Sequence, residues 1–292
     1  QGVLFGPAAY LWIVLGCIFG GAVHDYMLGM MSIRRNGESL PEIIGDEFGE
    51  RTRLVTRVLA LLLLILVSNV WITTPAGLLT TMTSSWGIFG TLTFWIIVIF
   101  GYYILATLLP IDKLIGKLYP LFGFALLAMA VGVLYGIFTS PGAMPEITEA
   151  FNNYNPQDSM PIFPGLCITI ACGAVSGFHA TQSPLMARCL KNEKYGRPVF
   201  YGAMITEGIV ALIWAAAAIK FADTLDCAGA TPYEKLLNAM TENYAHGVNP
   251  AIVINQISTE WLGSVGAILA VLGVVAAPIT SGDTALRSAR LI

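Results

Sequence analysis

Long apolar stretches alternate with short polar ones along this chain, and the apolar stretches have the length of membrane-spanning helices. Each is close to the ~20 residues that a helix needs to cross a bilayer. We draw seven spans and name them A to G in chain order. Their approximate ranges are 8–33 (A), 58–81 (B), 91–109 (C), 119–138 (D), 165–186 (E), 199–220 (F) and 261–282 (G). The pattern predicts an all-α, polytopic transmembrane helical bundle, formed as a single domain over residues 1–292.

The composition excludes an ordinary soluble protein. Hydrophobic residues make up 56% of the chain and charged residues only 11%, whereas a soluble domain has roughly 25% charged residues. The net charge is −3, and we find no basic patch with interleaved aromatic residues, so nucleic acid is not an expected partner. We therefore expect the chain to be surrounded by membrane lipid.

Lysine and arginine are unevenly distributed between the loops. Of the 15 such residues, all but Lys220 and Lys235 lie in alternate loops, which the positive-inside rule places in the cytoplasm. The predicted cytoplasmic residues include Arg34, Lys113, Arg188 and Arg290, and the predicted outer residues include Asp158 and Glu242. The chain therefore enters span A from the outer side of the membrane. We expect the chain to be an internal fragment of a longer transporter, without its first helix and its C-terminal part.

Short helices are predicted in the loops from their local signals. The sequence Ser39-Leu40-Pro41-Glu42 has the form of a capping box and predicts an amphipathic helix over about 40–48. In the outer loop that follows span F, Thr231 with Pro232 and Asn249 with Pro250 each predict a helix start. The outer loop over 139–163 contains four prolines and is expected to be largely irregular.

Span E contains an unusual number of weak helix formers and polar groups. Because freed backbone and polar side chains can line a cavity, this composition favours a helix that is interrupted between about 173 and 179. The alternative is that the small residues permit close helix packing, and a lone histidine is more often a packing residue than a ligand. The predicted substrate-binding residues are Gly173, Ser176, Gly177, His179 and Gln182 of span E, with Asn69 of span B.

Three ionisable side chains lie inside other spans, where charge is costly and a functional role is the first hypothesis. Glu207 lies eight residues into span F, ~12 Å deep at 1.5 Å per residue, and is a candidate for proton coupling or for facing the substrate. His24 and Asp25 in span A are further proton-coupling candidates. As neighbours on a helix they should point roughly 100° apart, one to the core and one to the cytoplasmic rim. The alternatives are a neutral Glu207 bonded to a neighbouring helix and an Asp25 paired with a basic loop residue.

Hydroxyls and a carboxylate meet at the inner end of span G, in Ser281, Asp283 and Thr284. They suit a bound cation and a helix-end cap equally well. Elsewhere the three histidines are far apart in sequence, and there is no Cys-x-x-Cys, Ser-His-Asp or P-loop spacing. The sequence therefore indicates no metal, no cofactor and no enzyme.

Several blocks of the sequence resemble the carbon starvation protein A family. These blocks are residues 21–26, 32–40, 168–179, 201–204 and 281–290. Members of that family resemble inner-membrane nutrient transporters, associated with peptide uptake and with proton-coupled pyruvate uptake under carbon limitation. They are grouped with the amino acid–polyamine–organocation transporters, whose 5+5 inverted repeats break the first helix of each half. The resemblance implies that span E is the sixth helix and that one helix precedes span A.

The resulting hypothesis is a secondary active transporter of the bacterial plasma membrane. It would import a small carbon source, either a pyruvate-like acid or a peptide, driven by protons. Span E would supply backbone and His179 to the substrate, and Glu207 or Asp25 would carry the proton. Two alternatives stay open, namely an intramembrane enzyme and a passive channel.

Overall fold

The structure is a computed structural model, and it is helical throughout the part of the chain that it describes. The described residues are 1–108, 112–149, 152–154, 161–174, 177–229, 231–243 and 250–292. They contain helices and turns and no strand. The prediction of an all-α fold is confirmed.

Twelve α-helices account for most of the described residues. They are α1 (Gly2–Phe5), α2 (Ala8–Leu15), α3 (Ala22–Arg34), α4 (Leu40–Phe48), α5 (Glu50–Met82), α6 (Leu92–Leu108), α7 (Asp112–Thr139), α8 (Cys167–Ala174), α9 (Gly177–Ala187), α10 (Gly202–Thr224), α11 (Pro232–Asn243) and α12 (Pro250–Leu291). Three π-helical segments, Gly16–Gly21, Ile162–Leu166 and Arg197–Tyr201, precede α3, α8 and α10. The first of them joins α2 to α3 within span A.

Four helical stretches of the described chain are long and apolar enough to cross a membrane. They are Ala8–Arg34, Glu50–Met82, Pro120–Thr139 and Glu193–Thr224, which correspond to spans A, B, D and F. A fifth is obtained if Ser84–Gly90 and Leu92–Ala106, bent by 54°, count as one span, and it corresponds to span C. The total of seven spans stays a prediction.

The two remaining spans are E and G. Span E comprises α8 and α9, and residues 175 and 176 between them lie outside the described residues. The predicted interruption of this helix falls on those two residues and stays a prediction. Span G lies within α12, which bends at Gly263, where φ is 62°.

The local signals in the loops predicted the short helices correctly. Helix α4 covers Leu40–Phe48, and the backbone N–H of Ser39 donates to Glu42 Oε2 at 2.6 Å, as a capping box requires. Helix α11 begins at Pro232, and the Glu234 N–H donates to the Thr231 hydroxyl at 3.2 Å. Helix α12 begins at Pro250, while Asn249 lies outside the described residues. Most described residues of the loop over 139–163 are irregular, as expected.

The chain divides into two compact units, each assembled from several parts of the sequence. Unit 1 comprises residues 1–21, 125–175 and 204–271. Its apolar core joins α7, α10, α11 and α12. Glycines permit close approach of α7 to α12, because a Cβ on Gly132 or Gly136 would lie 2.7 Å from Leu262 or 2.3 Å from Trp261.

Unit 2 comprises residues 22–124, 176–203 and 272–292. Within it α3 packs on α9, and α5 packs on both α4 and α6. One buried cluster contains Leu28, Ile43 and Ala180, and a second contains Ala76, Ile99 and Tyr103. The packing of α3 on α9 positions the ionisable side chains of unit 2 that are described below.

Candidate functional sites

Unit 1 contains a cavity of about 510 Å³. Its walls come from the start of the chain, the π-helical segment of span A, and helices α8, α10, α11 and α12. Two residues that the sequence singled out, Gly173 and Glu207, line it. The cavity therefore joins spans A, E and F around one carboxylate.

The walls of this cavity are mostly apolar. Glu207 is the only described lining residue whose side chain carries a formal charge. Polar groups come from Thr169 and Cys17, and the aromatic rings from Trp214 and Tyr233. A carboxylate, two aromatic rings and an aliphatic wall form a surface that suits a cationic or neutral group better than a second anion.

A small residue beside Glu207 allows α10 to approach span A closely. A Cβ on Gly208 would lie 2.9 Å from the Cys17 sulfur, so only glycine fits at this contact without a shift. Cys17 belongs to the π-helical segment Gly16–Gly21, and such segments are frequent at functional sites. The contact places Glu207 and Cys17 on neighbouring parts of the cavity wall.

Unit 2 contains a cluster of three titratable side chains. Asp25 of α3 is buried, and its Oδ1 lies 2.9 Å from Nδ1 of His24. Its Oδ2 lies 3.2 Å from Nδ1 of His179 in α9. His24 and Asp25, which we expected to leave the helix roughly 100° apart, contact each other through the ends of their side chains. The described partners of Asp25 are histidines, not the basic loop residue considered as an alternative.

Two other predicted site residues link α9 to α12. The amide Nε2 of Gln182 donates to the Ser288 hydroxyl at 2.7 Å and lies 3.5 Å from the Thr284 carbonyl oxygen. The Thr284 hydroxyl donates to the Thr280 carbonyl within α12. The observed role of Gln182 and Thr284 is to connect two helices of unit 2.

Asp283 has an ionic partner on its own helix. It is 1% exposed, and both its carboxylate oxygens lie 3.1 Å from Nε of Arg287. Helix α12 continues to Leu291, so Asp283 and the partly buried Ser281 lie inside the helix and cap no helix end. The carboxylate neutralises the guanidinium, which reaches the Ala106 carbonyl at 3.3 Å.

Asn69 and Gly177 are not among the described residues that line the cavity. Asn69 is exposed on α5, and its carbonyl accepts the Thr73 hydroxyl at 3.0 Å. Gly177 is the first residue of α9. Ser176 lies outside the described residues.

Among the cavity residues that sequence reasoning missed are Cys17, Thr169, Trp214 and Tyr233. One signal could have found Cys17, since Gly16, Gly20 and Gly21 give span A a glycine-rich middle like that of span E. For the others there was no local signal, because aromatic and hydroxyl residues are common in apolar helices.

Together, the fold and the two sites identify the class of this protein, which is a multi-pass, all-helical membrane protein. The chain matches the family described as carbon starvation protein CstA over residues 4–94 and 81–259. It belongs to that family.

Relatives with assigned names are transporters. The chain is 29% identical to the peptide transporter CstA of Bacillus subtilis and 31% identical to the pyruvate/proton symporter BtsT of Escherichia coli. These alignments cover 73% and 70% of this chain but only 45% and 36% of the two relatives. An uncharacterized membrane protein of Haemophilus influenzae is 43% identical, over 75% of this chain and 72% of that protein. No solved structure matches the chain.

Proposed function

We propose that this chain is the membrane domain of a secondary active transporter that carries a small carbon source across the bacterial plasma membrane with protons. The cavity of unit 1 carries the proposal, because it has the size of a small-solute site and one charged side chain. Ligand cavities typically have volumes of ~300–1,000 Å³, and this one has about 510 Å³. The names of the relatives, a peptide transporter and a pyruvate/proton symporter, support the same activity.

The chemistry of the cavity favours a short peptide over pyruvate. Glu207 can accept hydrogen bonds from an ammonium group, and Trp214 and Tyr233 offer aromatic faces to a cation. Pyruvate has no ammonium group to offer to Glu207, and this is the difference between the two solutes that the cavity wall can recognise. We therefore place the amino terminus of a short peptide against Glu207, with small apolar side chains against the aliphatic wall.

Transport also requires that the cavity opens to one side of the membrane and then to the other. In transporters built from discontinuous helices, this happens by movement of one group of helices against another. Binding of a proton and of the solute to the same conformation would couple the two fluxes, because each ligand shifts the equilibrium toward the state that it prefers. Spans A, E and F, which line the cavity, are the candidates for this movement.

The test uses the full-length protein in proteoliposomes with an imposed pH gradient. We expect accumulation of labelled Ala-Ala, competition by unlabelled Ala-Ala, and weak competition by pyruvate or N-acetyl-Ala-Ala, which lacks the ammonium group. Glu207→Gln removes the charge and keeps the shape. Because a hydrogen bond to a charged group contributes about 1.5–3 kcal/mol, the KM for Ala-Ala should rise about tenfold to a hundredfold. Glu234→Gln, on α11 of the same unit but outside the cavity lining, is the matched control.

Each alternative gives a different result in the same assay. Accumulation of pyruvate without competition by Ala-Ala would contradict the peptide assignment. If Glu207→Gln exchanges solute like the parent but no longer accumulates it, Glu207 carries the proton, as the sequence suggested. Uptake that a protonophore does not reduce would indicate a passive channel. Chemical conversion of the solute would indicate an enzyme.

A further inference from the structure

The cluster of Asp25, His24 and His179 lies in unit 2 and takes no part in lining the cavity of unit 1. Each oxygen of the carboxylate has its own imidazole, at 2.9 Å for His24 and 3.2 Å for His179. Both rings approach through Nδ1. A buried carboxylate with an imidazole on each side is an arrangement that packing alone does not require.

His24 contacts Asp25 through Nδ1, so its Nε2 is not used in that contact. A neutral imidazole that donates from Nδ1 has an acceptor at Nε2, so a proton can be added there without breaking the contact to Asp25. The cluster carries a charge of −1 with both rings neutral and no net charge after one proton has bound.

The exposure of the three side chains gives the proton a route. The side chain of His24 is 32% exposed, against 18% for His179 and 12% for Asp25. His24 is therefore the accessible member, and Asp25 connects it to His179. Burial acts on the Asp25 carboxylate, and both histidines interact with it. The other segments packed on α3 carry the titratable side chains Glu42, Asp46, Glu47, Arg197 and Tyr201.

The cluster also connects two different spans. Asp25 and His24 belong to α3 of span A, and His179 belongs to α9 of span E. A displacement of α9 along α3 by even a few ångströms would remove His179 from the carboxylate and would change the affinity of the cluster for a proton. A proton site whose affinity depends on helix position is what coupling requires, because a site of constant affinity moves no proton in a cycle.

We infer that Asp25, with His24 and His179, forms the site that binds the coupled proton, and that the contact between Asp25 and His179 forms and breaks during transport. The inference rests on the proposed function for its role in uptake. It assigns proton binding to this cluster and leaves Glu207 in contact with the solute. It also moves His179 from the solute to the proton.

The first experiment measures transport by the full-length protein in proteoliposomes, with labelled Ala-Ala and labelled pyruvate as probes. Asp25→Asn and His179→Gln should lose accumulation driven by a pH gradient and lose the proton influx that accompanies solute. Both should still exchange internal for external solute, which needs no net proton movement. Asp223→Asn, at an ion-paired aspartate of unit 1, is the matched control and should accumulate solute like the parent.

A second measurement does not need a transported solute. The ¹⁵N NMR signals of the imidazoles in the purified full-length protein report protonation of Nε2, and Asp25→Asn should shift the pH at which they change. His24→Gln, at the more exposed position, provides a further variant if Asp25→Asn fails to fold. Unchanged titration of the remaining imidazoles in these variants, or normal accumulation by Asp25→Asn and His179→Gln, overturns the inference. A parent that transports neither probe, but whose titration depends on Asp25, would contradict only the proposed function.

Discussion

At the scale of single residues, a buried tyrosine compensates for a proline in the middle of a span. Pro75 lies inside α5 and has no N–H to donate to the Trp71 carbonyl. The hydroxyl of Tyr103, from α6, lies 3.2 Å from that carbonyl oxygen and 3.2 Å from the carbonyl oxygen of Pro278 in α12. Tyr103→Phe should therefore lower the stability of the protein by about 1–2 kcal/mol, because a buried carbonyl loses its donor. Thermal unfolding in detergent measures this loss, and unchanged unfolding would contradict the assignment.

A glycine makes room for the same tyrosine. A Cβ on Gly282 would lie 2.3 Å from the Tyr103 hydroxyl oxygen and 2.4 Å from a ring carbon. We expect Gly282→Ala to lower stability by about 1–3 kcal/mol through overpacking. Gly101→Ala on α6 is the control, since a Cβ there meets nothing within 4 Å and alanine favours a helix. Equal unfolding temperatures for the two alanine variants would show that the contact between Gly282 and Tyr103 is not tight.

At the scale of helices, the predictable elements were those with local signals. Helix α4 was predicted with its observed bounds because a cap, a proline at the first turn and an acceptor three residues later occur together in the sequence. The π-helical segment Gly16–Gly21 and the bend at Gly263 were not predicted. Both are backbone distortions within apolar sequence, where the pattern of hydrophobic residues shows no interruption and the conformation depends on what packs against the helix.

The capping box of α4 can be tested with two substitutions at one position. Glu42→Ala removes the oxygen that accepts the Ser39 N–H at 2.6 Å, and loss of such a cap costs about 1 kcal/mol. Glu42→Gln keeps an accepting oxygen in the same place. Hydrogen exchange measured by mass spectrometry should be several-fold faster over residues 40–45 in the alanine variant, and close to the parent in the glutamine variant. Equal protection of all three proteins would show that packing of α4 on α5 alone determines its stability.

At the scale of the whole molecule, the sequence selected candidate residues but could not predict which of them lie together. It selected Glu207, Asp25 and His179 because ionisable groups in apolar spans are costly. It assigned His179 to the solute, whereas the structure places that side chain beside Asp25. The grouping depends on which helices pack together, and the periodicity of one span contains no information about its neighbours. Trp214 and Tyr233 were missed for the same reason.

The topology predicted from the positive-inside rule agrees with contacts between loops inside each unit. In unit 2, Arg34 pairs with Glu193 at 2.8 Å and Arg188 donates to the Gly37 carbonyl at 2.7 Å. These contacts join two loops that the rule assigns to the cytoplasm. In unit 1, Asp223 lies 3.2 Å from Lys235 and accepts the backbone N–H of Ala143 at 2.9 Å. Those contacts join two loops that the rule assigns to the outer side.

Two natural cysteines allow the topology to be tested directly. Cys189 is exposed in the loop that follows α9, and Cys227 is partly exposed in the loop that follows α10. In full-length proteins that keep only one of them, a membrane-impermeant maleimide applied to intact spheroplasts should label Cys227 and not Cys189. Both should react after the membrane is permeabilised, because span F then no longer separates them from the reagent. A protein without cysteines gives the background. Labelling of Cys189 in intact spheroplasts would show that the positive loops are outside, and the whole assignment of spans A to G to the two sides would have to be reversed.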